Sequence, residues 1–332
     1  MENLKFQAKH FLSFDDIELL IISCMPNEKA KLISSKLLNY LLINNGMFYR
    51  FDDQSILYIK ENNDNDYIIT LITLFIEQSF KHLSNEQKEL LQLKFKKSYD
   101  KIFTNSDVNK YLPQLLSYLT NNKINFSDPH LTEIHFINGF FNYKTGSFEK
   151  RVIGKHFINV YINRDYSISD KVDIDRVMVD ITKIYPREDD RNYLLMTYAI
   201  AFTGQSCSEQ TILFLTGLGS TGKSTVLEIC KKSFQDYVFT LPKNTFSKGN
   251  TKIDKILNTY ISRPSIRLSH INEPDDTKID DCLYKDFTDG NCQTTTLYQD
   301  GSNDFKHYSK LCMTANTIPN IKIDTGTTRR MD

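Results

Sequence analysis

Apolar positions along the chain recur first at helical and later at strand spacing. Over residues 1–125 the pattern predicts a mostly helical domain. In "EKAKLISSKLLNYLL", Leu32, Ile33, Leu37, Leu38, Leu41 and Leu42 fall on one helical stripe. "SNEQKELLQLKFKKSYDKIF" opens with Ser84 and carries Gln87 three residues on, the capping-box pattern of a helix start. Between them, "MFYRFDDQSILYIK" is rich in β-formers, and its Met and aromatic residues read as core. The Asp64-x-Asp66 pair in "ENNDNDY" has no His or third carboxylate beside it, so it reads as a solvated turn rather than a metal site.

The texture changes over residues 126–186. "HLTEIHFINGFFNYKTGSFEKR" punctuates short aromatic and β-branched runs with Asn138-Gly139 and Thr145-Gly146, predicting a hairpin-rich connecting segment. A third region, 187–332, begins with "REDDRNYLLMTYAIAFTG", a predicted helix with Leu194, Leu195 and Tyr198 on one face and Gly204 at its stop. "TILFLTG" then predicts a buried strand and "KSTVLEICKKSF" a helix, with a glycine-rich loop between them. "PSIRLSHINEPDD" predicts a strand from Ile266 to Ile271 that ends on Glu273. A helix leads to Asp289-Gly290-Asn291, a β-rich run turns at Asp300-Gly301, and "SKLCMTAN" returns as a strand ending on Asn316. Strands alternating with helices predict an α/β domain with a parallel sheet core.

Composition adds bounds. A length of 332 residues suits two or three compact domains, and 40% hydrophobic content is that of a globular chain. The formal net charge is +0, so nucleic-acid binding would need a local basic strip rather than the field of the whole molecule. No apolar run approaches the ~18 residues of a membrane-spanning helix. "MENLKFQAKHFLSFDDIELLIISC" lacks the apolar core of a signal peptide. Cys24, Cys207, Cys230, Cys282, Cys292 and Cys312 form no CxxC pair and read as reduced thiols, so an intracellular location is expected.

The chemistry concentrates in "GLGSTGKST". Gly217, Gly219 and Gly222 let the backbone curl with its N–H groups inward, where side chains would block a phosphate. Ser220, Thr221 and Thr225 complete the loop and the first helical turn, whose dipole favours an anion. Lys223 is placed to reach the β- and γ-phosphates of ATP, and the Ser224 hydroxyl to ligate Mg²⁺. Glu273, at the end of a strand beside the loop, suits steadying the metal and polarising water. Asn316, at the end of another strand, suits sensing the γ-phosphate through the attacking water. Arg329 and Arg330 follow a Gly-containing loop and suit contact with the γ-phosphate held by a neighbouring subunit. NKxD-type base readers are absent, and a small-molecule kinase would leave the arginine pair unexplained.

The order "GLGSTGKST", "HINEPD", "DFTDGN", "TANTIPNIKIDTGTTRR" resembles the superfamily 3 helicases. It is most similar to the primase-helicases of poxviruses and other large DNA viruses and of satellite phages and plasmids. Asn316, Pro319, Asp324, Gly326, Arg329 and Arg330 stand where that branch has them, and "IHFINGFFNYKTGSFEKR" is similar to its pre-ATPase segment. The resemblance covers residues 130–332, and residues 1–125 share only helical character. It implies a P-loop, AAA+-like ATPase forming a homo-hexamer that pulls single-stranded DNA through a central channel. It also implies a virus-encoded replication enzyme acting in the host cytoplasm or at a viral replication site. Lys223, Ser224, Glu273, Asn316, Arg329 and Arg330 would take the roles given above. The hairpin turning near Gly301 would enter the channel, with Lys306, His307 and Lys285 touching the nucleic-acid backbone.

Three features depart from the branch. Ser220-Thr221 stands where many members have Asn before the last loop glycine. Asn272 precedes Glu273 where many have paired acids, which leaves one carboxylate for metal and water. Members continue past the arginine pair, so a C-terminally truncated ATPase domain is expected. Two functions follow: an active helicase, working alone or assembled with a longer helicase chain, or a module that binds ATP or nucleic acid without hydrolysis.

Overall fold

The computed structural model describes residues 11–38, 40–44, 46–52, 54–120, 126, 130–153, 155–205, 208–219, 221–275, 279–295, 302–317 and 325–330. The chain divides into two compact units, Met1–Asn125 and Phe126–Asp332. Together they are mixed α/β, with a parallel sheet in the second.

The first unit contains α1 (Phe14–Ile22), α2 (Pro26–Leu37), a three-stranded antiparallel meander β1 (Leu41–Asn44), β2 (Met47–Asp52) and β3 (Leu57–Lys60), then α3 (Asn65–Lys81), α4 (Asn85–Tyr99) and α5 (Asn105–Leu119). Its core joins Ile17 and Leu20 of α1, Ile33 and Leu37 of α2, Phe75 and Ile76 of α3, and Leu115 of α5. A half-buried ion pair of 2.7 Å, Lys29 to Asp107, ties α2 to α5.

Two local expectations change here. The leucine stripe does not continue as helix: α2 stops at Leu37, and Leu41 and Leu42 enter β1 opposite Arg50 and Tyr49. Cross-strand pairing outweighs helix periodicity there, and Gly46, at φ +71, turns the chain into β2. The Asp64-x-Asp66 turn is a helix cap, with the Asp64 carboxylate accepting from the Asp66 N–H at 3.1 Å. The Ser84–Gln87 capping box forms as its sequence predicts.

The second unit opens with the meander β4 (Glu133–Phe136), β5 (Gly139–Asn142) and β6 (Ser147–Glu149). The buried Arg151 guanidinium donates to Phe136 O at 2.7 Å and Gly139 O at 2.6 Å, tying β4 to β5. Helices α6 (Lys171–Ile184) and α7 (Glu188–Phe202) follow, and Gly204 ends the second at φ +70. Next come β7 (Ile212–Thr216), α8 (Lys223–Phe234), β8 (Val238–Thr240), α9 (Ile253–Ser262), β9 (Leu268–Asn272) and α10 (Asp281–Asp289). The hairpin β10 (Asn291–Thr295) and β11 (Ser302–Lys306), strand β12 (Lys310–Ala315) and the short α11 (Thr325–Thr328) complete it.

The four-stranded sheet runs in the order β7-β12-β9-β8, all parallel. Alternate residues of β7 divide between two apolar layers. Leu213 and Leu215 meet Val226 and Leu227 of α8 and Leu194 of α7; Ile212 joins Leu257 of α9 and Phe287 of α10 on the opposite face. Because β12 inserts between β7 and β9, the carboxyl ends of three strands open on one crevice, where ligands bind in open α/β sheets. The free side of β7 carries one further bond, from the Ile212 N–H to Arg330 O at 2.7 Å.

Candidate functional site

The crevice is a pocket of about 170 Å³ lined by Gly219, Thr221, Gly222, Lys223, Ser224, Thr225, Asn272, Glu273, Thr314, Ala315 and Asn316. The chain leaves β7 at Thr216, crosses the loop and starts α8 at Lys223. Gly222 caps that helix in the left-handed region at φ +88, and a Cβ there would come within 2.8 Å of Ile184 Cγ1. Glycine is therefore required twice over, by backbone and by space. The Lys223 ammonium lies over the loop, donating to Gly217 O at 2.7 Å, Leu218 O at 2.8 Å and Thr221 Oγ1 at 3.2 Å. A cation at the positive end of a twelve-residue helix gives the pocket mouth a charge that would favour an anion.

Behind the loop stands a polar relay that joins the start of α8 to the ends of β9 and β12. Ser224 Oγ at the start of α8 donates to Asn272 Oδ1 at 3.3 Å, and Thr314 Oγ1 of β12 donates to the same oxygen at 2.7 Å. Asn272 thus holds the Ser224 hydroxyl by its proton and leaves the oxygen lone pairs free for a cation. Glu273, one residue beyond β9, adopts φ +51, rare for a non-glycine residue, and its N–H donates to Thr314 O at 2.7 Å. The turn directs an exposed carboxylate to the pocket edge, with Lys243 Nζ 3.7 Å away. That pair is open to solvent and contributes little to stability. Asn316 is the first residue past β12 and lines the same pocket. Oxygen donors from Ser224 and Glu273 fit a hard divalent cation such as Mg²⁺.

Of the residues expected from sequence, Gly219, Thr221, Gly222, Lys223, Ser224, Thr225, Glu273 and Asn316 meet in this pocket. Gly217 lies at its entrance, with its carbonyl against Lys223. Ser220, Pro319 and Asp324 lie outside the described residues, as does the turn at Asp300-Gly301. Asn272 and Thr314 are the additions. The signal for Asn272 is its place beside Glu273; nothing in the residue pattern marks Thr314.

Two expectations are corrected. The Arg330 guanidinium is buried and grips Asp289 at the end of α10, with contacts of 2.7 and 2.8 Å, plus Gly326 O at 2.9 Å. So engaged within its own chain, it is not presented to a neighbouring subunit. Arg329 is exposed and donates to Gln210 Oε1 at 2.8 Å, a contact easily exchanged. His307 is 1% exposed, its ring 4.2 Å from that of Phe287 and 5.0 Å from that of Tyr260. Burial pushes its pKa down to about 4, so near pH 7 it is a neutral core group and not a phosphate contact. Lys306 stays exposed on β11 beside the Tyr308 ring, and Lys285 is half-buried on α10.

No family model matches the chain. A protein of Acanthamoeba polyphaga mimivirus, "Putative helicase L207/L206", is 26% identical over 202 residues, covering 60% of this chain and 21% of that protein. The chain thus spans about a fifth of the length of the curated relative it matches. Two apo structures of the NrS-1 C-terminal region are each 12% identical to it. One has TM-score 0.45 and covers 88% of this chain and 56% of that one; the other has 0.44, with 93% and 61%. The chain is distantly similar to a viral helicase. Among the described residues, no helix is long and apolar enough to cross a membrane.

Proposed function

We propose that this chain carries the motor of an ATP-dependent helicase of the superfamily 3 primase-helicase type. It would work in a ring of copies that translocates on single-stranded DNA during replication of a virus or mobile element. The observation that carries the proposal is the convergence of Lys223, Ser224, Glu273 and Asn316 on one crevice at the carboxyl ends of β7, β9 and β12. Similarity to the mimivirus protein supports the same reading.

In this reading the loop N–H groups and Lys223 bind the ATP phosphates, while Ser224 and Glu273 hold Mg²⁺. The metal would supply charge neutralisation at the β- and γ-phosphate oxygens. Asn272 keeps the Ser224 hydroxyl turned so that its lone pairs face the metal. Glu273 accepts the proton of the attacking water, and Asn316 orients that water. Arg329 reaches the nucleotide bound by the neighbouring copy, and Lys306 and Lys285 contact the DNA backbone near the β10–β11 hairpin. Lys223→Ala tests the assignment. Hydrolysis is expected to fall by at least about 100-fold, the scale on which a preorganised charge acts on a transition state. Undiminished turnover would remove the loop from the mechanism.

A further inference from the structure

At the first strand of the β4–β5–β6 meander, "HLTEIHF" gathers two imidazoles and a carboxylate that share no residue with the proposed nucleotide pocket. Glu133 and His135 alternate along β4 and share a face. His130 is brought to them by a turn at φ +45, closed by the Glu133 N–H donating to His130 O at 2.9 Å. His130 Nδ1 lies 3.3 Å and His135 Nε2 3.2 Å from the same oxygen, Glu133 Oε2, and all three ligand atoms fall within 4.8 Å of one another.

These separations suit co-ligands. With bonds of roughly 2.0–2.2 Å to nitrogen and oxygen, neighbouring ligands of a tetrahedral zinc ion sit about 3.3–3.5 Å apart. As a plain ion pair the arrangement is poorly made. His135 is 1% exposed and Glu133 Oε2 is buried, and the contacts at 3.2 and 3.3 Å lack the alignment of good hydrogen bonds, so both His135 ring nitrogens and Glu133 Oε2 stay poorly satisfied. Polar atoms left so in a core are destabilising. A metal ion would give Glu133 Oε2 and His135 Nε2 a shared partner.

We propose that His130, Glu133 and His135 bind one divalent transition-metal ion of the zinc type per chain. Two imidazoles and a single carboxylate select such an ion over Mg²⁺ or Ca²⁺, which take mainly oxygen ligands. His156 stands near, its ring centroid 6.1 Å from that of His130 and 6.3 Å from that of His135. It is not a ligand: its Nδ1 accepts from the Val152 N–H at 3.0 Å, so Nε2 keeps the ring proton. Among the described residues no fourth His, Cys, Asp or Glu joins the cluster, so a water would complete the coordination. The ion would pin the turn at His130 to β4 and stabilise the second unit through linkage.

The test strips the purified full chain with a chelator and titrates it with Co²⁺, then with competing Zn²⁺. One equivalent per chain is expected, with the intense visible bands of tetrahedral Co²⁺. His130→Ala, at the more exposed of the two imidazoles, and Glu133→Gln should each weaken Co²⁺ binding by at least about 100-fold, since outer-shell partners alone are worth 10–100-fold. Circular dichroism checks that the variants are folded; if they are not, the wild-type stoichiometry and spectrum decide. Binding below one equivalent, an octahedral Co²⁺ spectrum, or folded variants that bind like wild type would overturn the proposal.

Discussion

Asn272 receives two hydroxyl donors on a single amide oxygen, from Ser224 at 3.3 Å and Thr314 at 2.7 Å. In the proposed function this neutral amide would do the orienting work expected of a first acid, leaving one carboxylate, Glu273, to serve metal and water. Asn272→Ala should free the Ser224 hydroxyl at a cost of about 1 kcal/mol, or roughly fivefold in Mg²⁺-dependent turnover. Asn272→Asp should retain activity, and kcat measured against Mg²⁺ concentration separates the two. The arginine pair splits in the same way. Arg330→Ala leaves Asp289 without its main partner and should lower unfolding free energy by about 3 kcal/mol, read by urea denaturation. Arg329→Ala should leave stability unchanged while reducing turnover that depends on assembly. At this scale the glycine-rich turn into α8 is legible from sequence because the glycine at its end, Gly222, is dictated by local geometry. The fates of Arg330 and His307 are not, because burial is decided by residues far away in the chain, Asp289 for one and Tyr260 for the other.

Strand, loop and helix at β7 and α8 are legible because an apolar run, a glycine cluster and a periodic helix follow one another without ambiguity. The Ser84 capping box and the meander signalled by Asn138-Gly139 and Thr145-Gly146 are legible for the same reason: each is closed by bonds between residues a few positions apart. The stretch from Leu37 to Leu42 is not. Its leucines satisfy a helical stripe, but pairing with β2 is a longer-range gain that periodicity does not record. The β10–β11 hairpin carries the prediction proper to elements. Lys306, exposed on β11, and His307, buried at its end, are neighbours with opposite fates. Lys306→Ala should weaken single-stranded DNA binding and reduce the salt-dependence slope by about 1. His307→Ala should destabilise the second unit and leave that slope unchanged in the protein that remains folded.

Each unit of the whole molecule has its own apolar core, and the crevice lined by Lys223, Ser224 and Glu273 belongs entirely to the second. With a net charge of +0, a hold on DNA would depend on a few placed cations and, in the proposed ring, on multiplicity. In the proposed function, an arginine supplied by one copy to the nucleotide of the next would make hydrolysis a property of the assembly, and turnover per molecule would then depend on concentration. The most direct measurement is therefore ATPase rate against protein concentration, with and without single-stranded DNA, with oligomer mass recorded in parallel. A helicase motor predicts a rate per molecule that rises with concentration and with DNA as a ring forms. Flat, near-zero turnover from a monomer at every concentration would contradict it.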